Sequence, residues 1–219
     1  MRISCLSDLH GNLPIVENCD MVLLAGDLCP FGNHQVQLEW IDGDFHNWLD
    51  GLHERSIPVV AIAGNHDGII EDIVNKVSLK WIYLQDNSVM IGNFKIWGTP
   101  WVLPYGDWAF MKSEEWLSEC FSNIPEDVDI IVTHGPPYGY GDKCPEYVIK
   151  NGVYVREWKS QGSKAMLQTL DRVKPKLMVF GHIHQGRGMY RRNDTLLCNA
   201  AIWDHSTDKI NSPMIVNLD

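Results

Sequence analysis

The sequence predicts a layered α/β fold, and three observations carry that prediction. Short apolar runs of strand length recur along the chain. Amphipathic helical patterns lie between them. The 219 residues are enough for one large α/β unit with a sizeable core. The runs are Ile3 to Leu6, Met21 to Ala25, Val59 to Ala63, Ile130 to Val132 and Leu177 to Phe180. Each is nearly continuous in apolar residues, as strands buried on both faces are.

The elements between them follow in chain order. Ile41, Phe45, Trp48, Leu49 and Leu52 form one apolar stripe at helical spacing. Val89 to Trp97 reads as a hairpin turning at Gly92-Asn93. Trp116, Leu117, Cys120 and Phe121 make a shorter helical stripe behind a Ser113 N-cap. Met166, Leu167, Leu170 and Val173 make another, with Ser163 as cap and Pro175 just past the end. Ile210 to Leu218 reads as a final strand at a sheet edge. There is no internal repeat, low-complexity tract or Ser/Gly linker, so residues 1–219 are expected to form one domain.

Lys and Arg number 18 against 28 Asp and Glu, a net charge of −10. That balance disfavours a protein that tracks a long nucleic acid by surface charge. The hydrophobic share of 45% is ordinary for a globular chain and excludes disorder. The six cysteines (Cys5, Cys19, Cys29, Cys120, Cys144, Cys198) form no CxxC pair, and several fall in apolar runs, as free buried thiols do. The first residues are too soon charged for a signal peptide, and no apolar run approaches a membrane span. A soluble protein of a reducing, cytoplasmic compartment is expected.

Every one of the five runs ends in a polar cluster: Asp8-Leu9-His10, Gly26-Asp27, Gly64-Asn65-His66-Asp67, Thr133-His134-Gly135 and Gly181-His182-Ile183-His184. In open α/β sheets ligands bind beyond the carboxyl ends of the strands, so these clusters can converge. Singly they are weak. Asp-x-His is common, Gly-Asp is usually a turn, His134 also reads as a structural loop residue, and Asn-His-Asp also reads as the cap of a helix starting near Gly68. In a strand, His182 and His184 would share a face, as two ligands of one centre. Five clusters in order, each closing a β run, are hard to ascribe to chance. Five of the nine histidines lie in them; His34, His46, His53 and His205 lie outside and read as ordinary residues.

Carboxylate, amide and imidazole ligands without thiolate suit Mn²⁺, Fe, Zn²⁺ or Ni²⁺. The set is too large for one ion and right for two sharing a bridging carboxylate. Paired ions clamp the attacking and leaving oxygens of an in-line displacement, and phosphoester hydrolysis is the chemistry that most needs it. Gly26, Gly64, Gly135 and Gly181 stand where the chain must turn sharply beside a ligand.

The ordered set Asp8-x-His10, Gly26-Asp27, Gly64-Asn65-His66-Asp67, His134 and Gly181-His182-x-His184 resembles the calcineurin-like metallophosphoesterase superfamily over nearly the whole chain. The resemblance implies a four-layer α/β/β/α metallophosphoesterase sandwich with a dinuclear site at the strand ends. Tyr83-Leu84-Gln85-Asp86, Gly98-Thr99-Pro100-Trp101, Gly106-Asp107-Trp108-Ala109-Phe110, Thr133-His134-Gly135-Pro136-Pro137 and Cys198-Asn199-Ala200 look like the metallophosphoesterase-domain-containing (MPPED) brain proteins and their bacterial relatives. That group implies a metal-dependent phosphodiesterase acting on small phosphodiesters, cyclic nucleotides among them. By the same resemblance Asp8, His10, Asp27 and His184 hold one metal, and Asp27, Asn65, His134 and His182 the other, with Mn²⁺ the first choice of ion. A metal-bridging hydroxide attacks phosphorus, Asn65 helps hold the charge, His66 protonates the leaving oxygen, and Asp67 orients His66. Arg187, where relatives carry another residue, is a candidate phosphate clamp or a surface arginine, and 143–161 a candidate specificity loop or decoration.

Other readings are weaker. The stretch Gly26-Asp27-Leu28-Cys29-Pro30-Phe31-Gly32 lacks the Asp and Arg of Gly-Asp-x-x-Asp-Arg-Gly, which argues against a protein phosphatase. A phosphomonoesterase and a short-strand nuclease stay open, and a non-catalytic metal-binding scaffold is disfavoured because all seven ligands are kept. Trp101, Tyr105, Trp108, Tyr138 and Tyr140 are candidates to stack a nucleobase, with one or two expected to touch substrate.

Overall fold

The computed structural model describes residues 1–73, 77–150, 153–204 and 206–219. Two sheets face one another. In the first, β1 (Arg2–Leu6), β2 (Met21–Ala25), β3 (Val59–Ile62) and β4 (Ile82–Tyr83) run parallel, and β15 (Met214–Asn217) pairs antiparallel with β1 at the edge. In the second, β6 (Phe94–Thr99), β7 (Ile130–Thr133), β10 (Leu177–Phe180) and β12 (Thr195–Asn199) run parallel, flanked by antiparallel β5 (Asn87–Ile91) and β11 (Gly188–Arg192). The order of the second sheet is β11-β12-β10-β7-β6-β5.

The period-two alternation of these strands builds three cores. Ile3, Cys5, Leu23 and Ile62 meet Ile96, Val132, Val179 and Cys198 between the sheets. The other faces of β1 to β3, with Leu6, Leu24 and Ala61, pack on Ile41, Phe45, Leu49 and Ile70 of helices. Ile131, Met178 and Leu197 pack on Leu117, Phe121, Met166 and Leu170 of a second helical layer. The order is therefore α/β/β/α, as the motif resemblance implies.

The helices sit where the stripes place them. α1 (His34–Trp40) runs through a π-helical turn, Ile41–Phe45, into α2 (His46–Glu54). The helical segment thus starts earlier than the stripe suggests, capped by the Asn33 side chain accepting from Val36 N–H at 3.1 Å. α3 (Gly68–Ile73) begins at the position the Asn-His-Asp cap reading allows. Ser113 caps α4 (Glu114–Ser122) and Ser163 caps α5 (Lys164–Val173), each accepting from the third residue on. Gly92, at φ 58°, turns the β5–β6 hairpin. Of the final apolar stretch only Met214–Asn217 is the edge strand. Lys209–Ile210 is a separate short strand, β14, paired with β13 (Trp203–Asp204).

A longer strand pair also stands outside both sheets. β8 (Lys143–Lys150) and β9 (Val153–Ser160) pair only with each other. Their register puts Tyr147, Ile149, Tyr154 and Trp158 on one face, all exposed, while Lys150–Glu157 and Lys159–Glu146 ion pairs close the other. No helix among the described residues is long and apolar enough to cross a membrane.

Candidate metal centre

All five polar clusters converge. Each follows the carboxyl end of a parallel strand: β1, β2 and β3 in one sheet, β7 and β10 in the other. The sheets are joined at this end, where Ser7 N–H donates to Ala200 O at 2.9 Å; Ser7 Oγ–H meanwhile ties the ends of β1 and β2 by donating to Ala25 O at 2.8 Å.

The chain must leave these strands abruptly. Asp8, His10, Asp27 and His182 all hold left-handed backbone, at φ 57°, 43°, 53° and 67°. For non-glycine residues this costs about 1–3 kcal/mol each, and it persists where surrounding structure enforces it. Crowding explains two of the glycines. A Cβ at Gly181 would run into Asp8 Oδ2 and Ser7 Oγ, and one at Gly64 into Asp27.

Two groups of donor atoms result. Asp8, His10 and His184 form one; Asp27, His134 and His182 form the other, the donors of each lying within 4.8 Å of one another. His184 Nε2 is 3.1 Å from Asp8 Oδ1. Asp27 Oδ2 lies 3.3 Å from His134 Nε2 and 3.8 Å from His10 Nε2, so this carboxylate stands between the groups. Asn65 Oδ1 lies 3.0 Å from His134 Nε2. The expectation that His182 and His184 share a strand face fails. β10 ends at Phe180, His182 turns left-handed, and a 3₁₀ turn starts at His184, so the two imidazoles join different groups.

The donor chemistry fits cations. His134 Nδ1 donates to Ala25 O at 2.8 Å. In a neutral ring the Nε2 lone pair would then face Asn65 Oδ1 and Asp27 Oδ2, three acceptors meeting without a donor. A buried arrangement of that kind needs a positive charge at its centre. Both ring nitrogens of buried His10 also lack a hydrogen-bond partner. Without metal the protons redistribute to supply the charge. Burial works against charging Asp8, but His184 beside it outweighs this and holds the carboxyl at about 2. Asp27 is lowered as well, burial again being overcome, here by His134. His134 rises to about 9 despite complete burial, because Asp27 faces it. Burial dominates at His10 and His182, each lowered to about 4.

The remaining predicted residues divide. His66 is half-buried, its Nε2 4.0 Å from Asp27 Oδ2 and its backbone N–H donating to Asp27 Oδ1 at 2.8 Å. Asp67 is not positioned to orient it. Its carboxylate accepts from the backbone N–H groups of Leu28, Cys29 and Gly64 at 2.8–3.0 Å. Burial and neighbouring Asp27 raise its pKa to about 6. Arg187 is neither a clamp nor a loose surface group, since it donates to Ala201 O and Ser212 O at 2.7 Å and ties two loops. Among the aromatics, Trp101, Tyr105 and Trp108 border the cavity over the site, and Tyr138 and Tyr140 do not. Trp108 lies 4.3 Å from the His66 ring, centroid to centroid. His34, His46 and His53 lie on α1 and α2 outside this cavity; His205 lies outside the described residues.

Sequence reasoning missed Phe31, which stacks on His10 at 4.5 Å with ring planes 9° apart. The Gly26–Gly32 stretch drew notice only for residues it lacks. Trp203, 5.1 Å from the same imidazole, lies outside every motif.

Two sheets between helical layers, with carboxylates and imidazoles gathered at the ends of their parallel strands, form a candidate centre for divalent cations. The chain belongs to the calcineurin-like phosphoesterase family, whose model matches residues 1–186. It is 31% identical to human metallophosphoesterase domain-containing protein 1 over 99% of this chain and 71% of that protein, and equally to the mouse protein. UPF0046 protein C25E10.12 of Caenorhabditis elegans is 29% identical over 100% of this chain and 81% of its own length. A solved crystal structure shares the fold at a TM-score of 0.62 and 12% identity, covering 100% of this chain and 99% of that one. The family implies a phosphoester hydrolase, and family and donor groups together support divalent metal binding.

Proposed function

We propose that the chain is a binuclear metal-dependent phosphodiesterase of small substrates, cyclic nucleotides among the candidates. One observation carries the reading: two three-residue donor groups lie side by side with the Asp27 carboxylate between them. Asp8, His10, Asp27 and His184 would hold one ion, and Asp27, Asn65, His134 and His182 the other; Mn²⁺ is the first candidate by the family resemblance, and the oxygen and nitrogen donor set also suits Fe, Zn²⁺ or Ni²⁺. When bound, paired ions polarise phosphoryl oxygens and supply a water nucleophile near neutral pH.

The chain's own residues do the rest. Ala25 O fixes the His134 tautomer, leaving Nε2 for the site. Asp27 Oδ1 holds the backbone of His66, which places that side chain at the open edge, where Nε2 delivers a proton to the leaving oxygen. Trp108 and Phe31 flank the imidazole and limit where it can swing. Six free thiols support a cytoplasmic setting.

The test is a panel of bis(4-nitrophenyl) phosphate, 2′,3′- and 3′,5′-cyclic nucleotides, dinucleotides and phosphomonoesters with Mn²⁺ added. Diesters should turn over, and His66→Ala should lower kcat by about 10²- to 10⁴-fold with metal content unchanged. Activity confined to monoesters would overturn the reading.

A further inference from the structure

β8 and β9 form a ribbon whose outer half is exposed. At its inner end Cys144, Pro145 and Glu146 wall the cavity beside the metal groups. Farther out, Tyr147, Ile149 and Tyr154 share one face at 67%, 64% and 74% exposure. A two-stranded ribbon alone is marginal in water, and three or more strands with an apolar face make a stable unit. Among the described residues neither β8 nor β9 has a second neighbour.

The free edge of β8 is open to one. Gln161 N–H donates to Asp142 O at 2.9 Å, which sets the phase of the ladder. Counted from there, the even-numbered residues of β8 bond to β9 and the odd-numbered ones face the edge. Pro145, which has no N–H, therefore forfeits no ladder bond. Tyr147 and Ile149 turn their backbone N–H and C=O groups outward.

That edge is also self-complementary. Two identical strands paired antiparallel are related by a two-fold axis normal to the sheet, so each face continues across the join. With the axis at Val148, Tyr147 meets the partner's Ile149, an aromatic–β-branched pair, and Glu146 meets the partner's Lys150. Registers centred on Glu146, Tyr147 or Ile149 pair no opposite charges within β8. Glu146 has use for a further cation, because its register partner on β9 is Glu157, and like charges directly opposite are destabilising. Lys159 and Lys150 reach these two carboxylates within the chain, and the partner's Lys150 would stand on the open side of Glu146. Net charge agrees. The two strands hold four of the chain's 18 Lys and Arg against two of its 28 Asp and Glu, so they are a basic arm on an acidic molecule. Contact through them keeps the acidic bodies apart.

We infer that the protein forms a homodimer by antiparallel pairing of β8 with β8 of a second copy about a two-fold axis at Val148, giving one four-stranded sheet. Sedimentation equilibrium should show the mass moving from 25.0 kDa toward twice that value across the micromolar range. Ile149→Pro removes an outward N–H and none that bonds β9, so it should leave a folded monomer. Glu146→Lys leaves only lysines at the paired charge positions, and Lys150→Glu only glutamates. Each should weaken association about tenfold or more. Mixing these two variants should restore it, since every charge pair across the axis is again of opposite sign, a recovery that misfolding would not give. Val148→Cys should yield a disulfide-linked dimer on mild oxidation where the wild type does not. Residues opposite one another in a non-hydrogen-bonded pair have Cα atoms about 4.5 Å apart, within disulfide range.

A monomer throughout that range, a dimer that Ile149→Pro leaves intact, or no recovery on mixing would overturn the inference. A monomer that instead binds phosphatidylserine vesicles would assign the ribbon to a membrane surface and overturn it equally.

Discussion

Single residues in this site answer to more than one demand, and Asp67 shows it most plainly. Sequence places it beside His66 and suggests an orienting carboxylate, but its oxygens take three backbone N–H groups instead. Asp67→Ala would leave those donors buried and unpaired, which should cost roughly 3–5 kcal/mol of stability. A fall in thermal midpoint with near-normal turnover per folded molecule is the expected result. Lost turnover at an unchanged midpoint would restore the orienting role. The thiols give a pH-dependent case. Burial and the nearby Asp86 carboxylate push Cys120 up to about 12. Only roughly one thiol in ten thousand is then ionised at pH 8, so iodoacetamide labelling of the native protein should be slow and climb about tenfold per pH unit to near pH 11. A labelling plateau near pH 9, followed by mass spectrometry, would contradict that environment.

Elements were legible where one signal sufficed. Ser113 and Ser163 announce α4 and α5, and each accepts the expected N–H. Continuous apolar runs announce β1, β2, β3, β7 and β10, because burial on both faces removes polar residues. Backbone that departs from a regular period was not legible. The left-handed turn at His182 reverses where the following side chain points, so spacing alone misassigned the pair His182 and His184. Lys174 is similar: it ends α5 in left-handed backbone at φ 53°, and its N–H donates to Leu170 O at 3.0 Å. Glycine adopts that conformation without a Cβ penalty, so Lys174→Gly should stabilise the protein by about 1 kcal/mol. The midpoint of urea unfolding reads this, and an unchanged or lower midpoint would refute it.

At the scale of the whole molecule, the ligand inventory was legible and the cavity was not. Ordered motifs at strand ends name the donors because topology gathers those ends. The cavity depends on how the 101–110 loop, β8 and the turn after β10 are arranged around the metal-ligand groups, and no linear pattern records a gap. The same limit hid Phe31 against His10, a contact made across two loops. Conversely, β8 contributes Cys144, Pro145 and Glu146 to the cavity wall, which gives that strand a place beside the site.

Asp8 and His182 meet across 174 positions of chain, and the donors come from both sheets. Neither donor group is complete until a ribosome has passed His182. Metal bound by both groups at once therefore requires the two sheets to have met. Its stabilisation should fall on the rate of escape from the native state, because the long loop closes late. In stopped-flow denaturant jumps, chelation should speed unfolding by about tenfold or more and leave refolding within about twofold. Slower refolding after chelation would mean that the two sheets need the ions in order to find each other.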